Sequence, residues 1–156
     1  MKAKRVVLVL FGILAFSACA SAGGGVGNTD PTRFTANLGR VSYSTLSEGV
    51  DKIFRKYAIP IYRRNEQYAT INIESEWVVQ DPQPDEREQG ITRTRTRFIL
   101  DGRRSGSVFR ISLTVEHQVR TERTREWQEL PLTPDFRKWV QRVVQDLEAE
   151  IRTGVR

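Results

Sequence analysis

The side chains that could perform acid–base or nucleophilic catalysis are few in this chain of 156 residues. His117 is the only histidine, so a relay of hydroxyl, imidazole and carboxylate would have to include it. Apolar residues alternate around His117 and place it on the inward side of a predicted strand. Because of this inward position, we interpret it as a core or edge histidine with one hydrogen bond. The sequence also has no G-x-S-x-G turn that could present a nucleophile to it.

Glu74 and Glu76 stand two residues apart on a predicted strand, so their carboxylates share one face. Such a pair could hydrolyse a glycosidic bond. Pairing with arginines of a neighbouring strand is the simpler interpretation, although each such pair contributes only ~0.2–1 kcal/mol. We predict no catalytic residue and no enzymatic activity.

Four carboxylates, Asp81, Asp85, Glu86 and Glu88, form an acidic stretch at residues 81–88. Its spacing is not that of an EF-hand, and one histidine with one cysteine cannot complete a zinc site. We interpret the stretch as a solvated loop, with a weak calcium contact as the alternative. The segment "GGGVG" lacks the lysine of a phosphate-binding loop. No metal and no cofactor is predicted.

Arginines form the most regular polar pattern. Arg93, Arg95 and Arg97 alternate with threonines, which puts three guanidinium groups about 6.5–7 Å apart on one strand face. Arg110 lies on the outward side of the next predicted strand. The face is either solvated, with its arginines paired to glutamates, or a docking face for an acidic partner or phosphate groups. The glutamates available for pairing are Glu74, Glu76 and Glu116.

The first nineteen residues have the layout of a secretory leader. Lys2, Lys4 and Arg5 precede an apolar run of eleven residues at 6–16, and small residues lead to Cys19, the only cysteine. As a helix, such a run would rise about 16 Å, whereas a bilayer core needs about 20 apolar residues. The run is therefore predicted to be a removable leader.

The residues "FSAC" at 16–19 resemble the lipobox of bacterial lipoproteins, usually Leu-Ala/Ser-Gly/Ala-Cys. Ser17 and Ala18 match this pattern, and Phe16 stands in place of the usual leucine. The resemblance implies that Cys19 is the lipidation site, carrying a thioether-linked diacylglycerol (palmitate-type acyl chains) at the mature N-terminus. The alternative is ordinary cleavage near residues 20–22, which would remove the cysteine.

The lipobox also indicates a location. Ala20 stands where aspartate would retain such a protein in the inner membrane of enteric bacteria, so we expect a lipid anchor in the outer membrane facing the periplasm. Removal of residues 1–18 takes three positive charges from the formal net charge of +6 and leaves about +3. Outside the cytoplasm, nucleic acid is not an expected partner. The expected partners are envelope proteins, anionic lipid, lipopolysaccharide or glycan.

Three segments are predicted. Residues 1–18 are the leader, and 19–33 are the acylated cysteine with a Gly/Ser-rich tether that cannot bury enough apolar surface to order itself. A tether of this length has a root-mean-square span of roughly 20 Å. Residues 34–156 are predicted to form a single α+β domain.

The predicted order of elements is (β)-α-β-β-β-α, a two-layer fold with a three- to four-stranded antiparallel sheet covered by two helices. The predicted strands are 33–43, 68–79, 91–100 and 107–120, and the predicted helices lie within 44–60 and 133–153. In the first helix Thr45 and Glu48 have capping-box spacing, and Pro60 ends the pattern. In the last, Thr133 can cap and Pro134 suits the first helical position.

Periodicity also predicts which side chains face the core. For the first helix these are Leu46, Val50, Ile53, Phe54 and Tyr57, and for the last they are Phe136, Val140, Val143, Val144, Leu147 and Ile151. For the strands they are Ala69, Ile71, Ile73, Ser75, Trp77 and Val79; Thr92, Thr94, Thr96, Phe98 and Leu100; and Phe109, Ile111, Leu113, Val115, His117 and Val119.

Residues 44–150 resemble the helix-grip units of the BamC (NlpB) lipoprotein family in their succession of elements. The shared features are the helix before "YAIPIYRRNEQYATINIESEW", the strands "RTRTRF" and "FRISLTV", and the closing helix. That family has two such units behind a long unstructured arm, whereas this chain has room for one. The resemblance implies a helix-grip fold and a role in envelope assembly, and it assigns no functional residue.

Together these features predict a membrane-anchored, non-enzymatic binding or scaffold lipoprotein, accessory to an outer-membrane assembly or transport machine. The alternative is a module that binds anionic lipid, lipopolysaccharide or glycan through the arginine-rich face. The partner-binding residues predicted for that face are Arg93, Arg95, Arg97 and Arg110.

Overall fold

The computed structural model describes residues 30–153. The predicted leader, Cys19 and most of the predicted tether lie outside the described residues. Six strands and three helices form within them. In chain order these are β1 (Arg33–Val41), α1 (Tyr43–Lys56), β2 (Ile61–Glu66), β3 (Thr70–Ser75), β4 (Val78–Gln80), α2 (Pro84–Glu88), β5 (Ile91–Ser105), β6 (Val108–Thr121) and α3 (Pro134–Thr153).

All the strands pair antiparallel in one sheet with the order β1-β6-β5-β3-β2, and β4 also pairs with β5. Inward side chains of the sheet and the apolar stripes of α1 and α3 are buried together in one core. The predicted α+β class with an antiparallel sheet is confirmed. The predicted count of three to four strands and two helices is wrong. The periodicity of the sequence does not indicate β2 or α2, and it does not show that the strand predicted at 68–79 is divided into β3 and β4.

β2 lies at an edge of the sheet, where only one neighbour constrains its side chains. Ile61 and Arg64 are half-buried, and the other four residues of the strand are exposed. An edge strand of this kind shows no apolar alternation, so periodicity cannot detect it.

The predicted strand at 68–79 is divided after Ser75. Ile71, Ile73 and Ser75 are buried as predicted. Beyond them the alternation fails, and the inward placement of Trp77 and Val79 is wrong: Trp77 is half-buried, and Val79 is 53% exposed. The backbone N–H of Glu76 donates to Pro60 O at 2.9 Å instead of continuing the ladder to β5.

The segment between the predicted strands 91–100 and 107–120 is mostly strand. β5 continues to Ser105, so only Gly106 and its neighbour connect β5 to β6. Gly106 has φ +69°, the left-handed conformation that glycine tolerates in tight hairpins. Gly102 is needed for a different reason, since a Cβ there would lie 2.7 Å from Ile111 Cδ1.

The two long helices follow the sequence prediction closely. All six predicted residues of the α3 stripe are buried, and so are the α1 residues Leu46, Val50, Ile53 and Phe54. The predicted cap of α1 is wrong by three residues: Ser42 is the N-cap, and its Oγ accepts from Thr45 N at 3.2 Å. α1 and α3 approach closely at Gly49, where a Cβ would lie 3.4 Å from Ile151 Cγ1.

Candidate functional site

The face of the sheet opposite α1 and α3 carries a concentration of arginines. Arg93, Arg95 and Arg97 lie on this open face as predicted, and they alternate with Thr94 and Thr96, which are buried. The inward placement of the preceding threonine, at position 92, is wrong. A register shift between Ile91 and Arg93 leaves that threonine exposed, and buries the isoleucine instead.

Two tryptophans organise the centre of this face. The Arg95 guanidinium lies 4.6 Å from the ring centroid of Trp77 and 4.6 Å from that of Trp127, so it is held between two indoles. Arg97 lies 4.8 Å from Trp77, and Arg120 lies 4.2 Å from Trp127. We call these five residues the Trp–Arg cluster. In these cation–π contacts, the face of each indole attracts the positively charged guanidinium group that lies above it.

Hydrogen bonds fix the orientation of Arg95 between the indoles. Its Nε and Nη2 both donate to Gln118 Oε1, at 2.9 and 2.6 Å. Partial burial, followed by repulsion from Arg120 and Arg97, lowers the pKa of the Arg95 guanidinium. The three guanidinium groups and two indoles of the Trp–Arg cluster are all half-buried, so the cluster forms one contiguous, positively charged platform.

The predicted pairing of arginines with glutamates is correct for one pair. Arg97 Nη2 lies 2.6 Å from Glu116 Oε2. Glu74 pairs with Arg63 of β2 at 2.9 Å, because the β3 register sets it opposite an isoleucine of β5. Glu76 follows the end of β3 and is exposed.

Replacing Arg95 by Lys tests whether the stacking and hydrogen bonds of Arg95 stabilise the domain. Lysine cannot stack as a plane or donate twice to Gln118, so we expect the free energy of unfolding to fall by about 1–2 kcal/mol. Urea denaturation of the purified full-length chain in neutral detergent, followed by tryptophan fluorescence, measures this change. Arg123→Lys is the matched control, since Arg123 is exposed and an exposed substitution changes stability by less than about 0.5 kcal/mol. Equal stability of the two variants would contradict a structural role for the stacking.

Arg110 does not belong to the Trp–Arg cluster. It lies six residues along β6 from Glu116, which corresponds to about 20 Å. There it stands directly opposite Arg40 of β1 on one side and Arg103 of β5 on the other. We call Arg40, Arg110 and Arg103 the arginine row.

A groove of about 780 Å³ adjoins the arginine row. Its lining includes Arg103 and Arg110 and several small polar side chains. The residues that line it are Thr35, Ala36, Asn37, Thr70, Ile71, Asn72, Asp101, Gly102, Arg103, Arg110, Ile111 and Ser112. The structure thus divides the four predicted binding residues between two places, with three at or beside the Trp–Arg cluster and Arg110 at the groove.

His117 is buried, as predicted, but it makes two side-chain contacts. Its Nε2 lies 2.7 Å from Glu86 Oε1, and its Nδ1 lies 3.1 Å from Thr96 Oγ1. The connectivity is that of a hydroxyl–imidazole–carboxylate relay. All three residues are at most 2% exposed, so a substrate could not reach the Thr96 hydroxyl without opening the core.

The prediction of a solvated loop at residues 81–88 is wrong at Glu86. This residue is 1% exposed, and its second carboxylate oxygen accepts from Gln83 N at 2.7 Å in a capping box that begins α2. The sequence contained a signal for this turn, because Pro84 followed by acidic residues is typical of a helix start. Asp85 also contacts α3, where Oδ2 accepts from Asp135 N at 2.9 Å.

Sequence reasoning also missed Trp77, Trp127 and Arg40 as members of the open face. Trp127 follows the end of β6, and its neighbour Gln128 forms an isolated bridge with Val119. Nothing in the local pattern indicates that contact. Arg40 had a usable signal, since Gly39 within a strand pattern points to a bulge that changes which face the next residue occupies.

The fold and the open face define an α+β domain in which a helix layer covers one side of an antiparallel sheet and a Trp–Arg cluster occupies the other. No protein-family model matches the chain, and no curated protein is similar enough to count as a match. Among residues 30–153, no helix has both the length and the apolar character needed to cross a bilayer.

Proposed function

We propose that this protein is a lipid-anchored lipoprotein of the bacterial envelope and a non-enzymatic binding or scaffold subunit. Acylation at Cys19 would hold the domain at the outer membrane, facing the periplasm, as an accessory to an assembly or transport machine. The lipobox-like residues 16–19 and Ala20 support the location. The helix-grip resemblance to the BamC family supports the role in assembly.

The open face of the sheet is the observation that carries the binding role. Tryptophan and arginine are the residue types most enriched among those that contribute strongly to protein interfaces. Here Trp77, Trp127 and Arg95 are held together by stacking and by hydrogen bonds, so little side-chain entropy remains to be lost on binding. The proposed partner is another envelope protein that presents carboxylates to the Trp–Arg cluster.

The buried relay supports a non-enzymatic assignment. Glu86 and Thr96 hold His117 in the core from two sides, and His117 also stacks on Phe136 with a centroid distance of 3.7 Å. These contacts attach α2 and α3 to the centre of the sheet. The relay therefore supports a structural role for the only histidine.

Crosslinked affinity purification of the full-length protein from its native membrane tests the proposal. We expect specific envelope proteins to be captured, and Arg93→Ser with Arg97→Ser to reduce their recovery by about tenfold, since hydrogen bonds to charged groups contribute about 1.5–3 kcal/mol each. Arg55→Ser with Arg142→Ser is the matched control, because these arginines are exposed on α1 and α3. Unchanged recovery with the β5 variant, at unchanged thermal stability, would remove the open face from the proposal.

A second candidate function is binding of an anionic lipid, lipopolysaccharide or glycan. The arginine row favours it, because Arg40, Arg110 and Arg103 are cross-strand neighbours of like charge. Binding of phosphate by exposed arginines should weaken strongly as salt rises, since screening acts over about 8–10 Å at physiological ionic strength. A packed interface with a protein should respond much less.

A further inference from the structure

We propose that the groove beside the arginine row binds a phosphorylated sugar, with the phosphate on the row and the sugar hydroxyls on the adjoining polar residues. The inference rests on the second candidate function, and it names the ligand class and the site. It does not depend on lipid attachment at Cys19.

The arginine row is charged and has no partner within residues 30–153. Arg40, Arg110 and Arg103 are exposed, and none of their side chains forms a hydrogen bond or ion pair with another described residue. Like charges directly opposite each other on neighbouring strands are destabilising. A bound phosphate would relieve this repulsion and accept bidentate hydrogen bonds from the guanidinium groups.

A β-bulge places Arg40 in the row. Asn37 stands opposite Ser112, but the register shifts at Gly39, which has φ +85° and a backbone N–H donated to Asn37 Oδ1 at 2.9 Å. Strict alternation after Asn37 would have turned Arg40 toward the core. The extra residue restores it to the face of Arg110, as bulges near binding sites commonly re-aim a side chain.

A second row of polar side chains lies about 6.5–7 Å further along the sheet, two residues away on β6 and β5 and three residues away on β1, where the bulge adds one. It crosses the sheet in the order Asn37, Ser112, Asp101, Asn72. Asn72 Nδ2 donates to Asp101 Oδ1 at 2.9 Å, which leaves acceptor capacity on the carboxylate. Amides, a hydroxyl and a carboxylate are suitable partners for the hydroxyl groups of a sugar.

The two rows together select a ligand with one anionic end. The Asp101 carboxylate would repel a second phosphate but can accept hydrogen bonds from hydroxyl groups. The groove volume of about 780 Å³ is within the usual range for small-molecule sites. A polyphosphate or a bare phosphate ion would match only part of this surface.

Binding of glucose 6-phosphate to the full-length protein in neutral detergent tests the inference. Titration calorimetry should give saturable binding, which falls steeply as salt is raised. Glucose and inorganic phosphate, titrated separately, should each bind at least about tenfold more weakly, because each lacks the hydrogen bonds of one row. Absence of saturable binding by glucose 6-phosphate overturns the proposal. If glucose alone binds as tightly as glucose 6-phosphate, the assignment of the phosphate to the arginine row is overturned. If inorganic phosphate alone binds as tightly, the assignment of the sugar hydroxyls to the polar row is overturned.

Matched variants locate the site. Arg110→Gln should weaken glucose 6-phosphate binding by about tenfold or more, because it removes the central guanidinium of the row. Arg55→Gln is the control, since Arg55 is an exposed arginine of α1, on the other side of the sheet, and does not line the groove. Equal losses in the two variants would indicate attraction by general positive charge and would overturn the site.

Thermal unfolding distinguishes a lost ligand contact from misfolding. Arg110→Gln removes a like-charge contact on each side, so its melting temperature should be equal to or above that of the wild type. A lower melting temperature would contradict the absence of partners in the row. If glucose 6-phosphate does not bind but envelope proteins are still captured, this inference alone is rejected. If glucose 6-phosphate binds but no envelope protein is captured, the scaffold function is rejected and the proposed ligand site in the groove stands.

Discussion

Replacing Glu86 by Ala should lower the free energy of unfolding by about 3–5 kcal/mol, because two buried donors lose their acceptor and each such loss costs about 1–3 kcal/mol. Small domains are stable by about 5–15 kcal/mol, so this one substitution would remove a large part of the total. The size of the effect follows from burial, because the side chains of Glu86 and His117 are only 2% and 3% exposed.

Two donors lose their acceptor in this variant. His117 Nε2 lies 2.7 Å from one carboxylate oxygen, and Gln83 N donates to the other at 2.7 Å. Glu86→Gln keeps the shape but has only one acceptor oxygen, so one of these contacts becomes unfavourable and we expect an intermediate loss of about 1–3 kcal/mol. Water cannot compensate in a site closed by Phe136, which stacks on the imidazole.

Urea denaturation of the full-length chain, followed by far-ultraviolet circular dichroism, measures these changes. Glu88→Ala is the matched control, since Glu88 is exposed on the same short helix and should change stability by less than about 0.5 kcal/mol. A double variant, Glu86→Leu with His117→Phe, should lose less than the sum of the two single variants, because neither polar group is then left unpaired. Equal effects of Glu86→Ala and Glu88→Ala would show that the buried pair does not stabilise the fold.

Replacing Cys19 by Ser should abolish incorporation of a clickable fatty acid into the protein. A hydroxyl cannot form the thioether that the lipobox resemblance implies. Each buried CH₂ of an acyl chain contributes about 0.8 kcal/mol, and stable anchoring takes two chains. Loss of the diacylglyceryl group would therefore remove the anchor as a whole.

Mass spectrometry of the mature N-terminus, together with fatty-acid labelling in the native host, measures the outcome. Ser17→Ala is the matched control, because alanine also fits the lipobox pattern and labelling should be retained. An unmodified sulfur at Cys19, or a mature chain that begins after residues 20–22, would favour the alternative leader and remove the proposed location.

Much of the fold could be predicted from local periodicity. The α3 stripe from Phe136 to Ile151 depends on residues that are three or four apart, and the alternation in β5 and β6 depends on residues that are two apart. Both patterns are therefore visible in a single stretch of sequence. The burial of His117 and the outward placement of Arg93, Arg95 and Arg97 follow from the same alternation.

The rest depends on register and on contacts between distant segments. Trp77 reaches Arg95 only because the chain leaves the ladder after Ser75, and Trp127 reaches it from beyond the end of β6. Local spacing carries no information about such a meeting. The partners of Glu74 and Glu116 were undecided for the same reason, since pairing follows from the strand register.

The sequence by itself determined the helix faces, the inward and outward sides of the central hairpin, and the lipobox-like residues before Cys19, because each is a pattern of near neighbours. Only the tertiary structure decided that Glu86 is buried against His117, and that Arg40 joins Arg110 and Arg103 in one row. Arg40 joins the row because a one-residue shift in register moves a side chain to the other face of a sheet, and register is set by pairing between strands. Glu86 meets His117 only when α2 packs on the sheet, since the two residues are 31 positions apart in the chain.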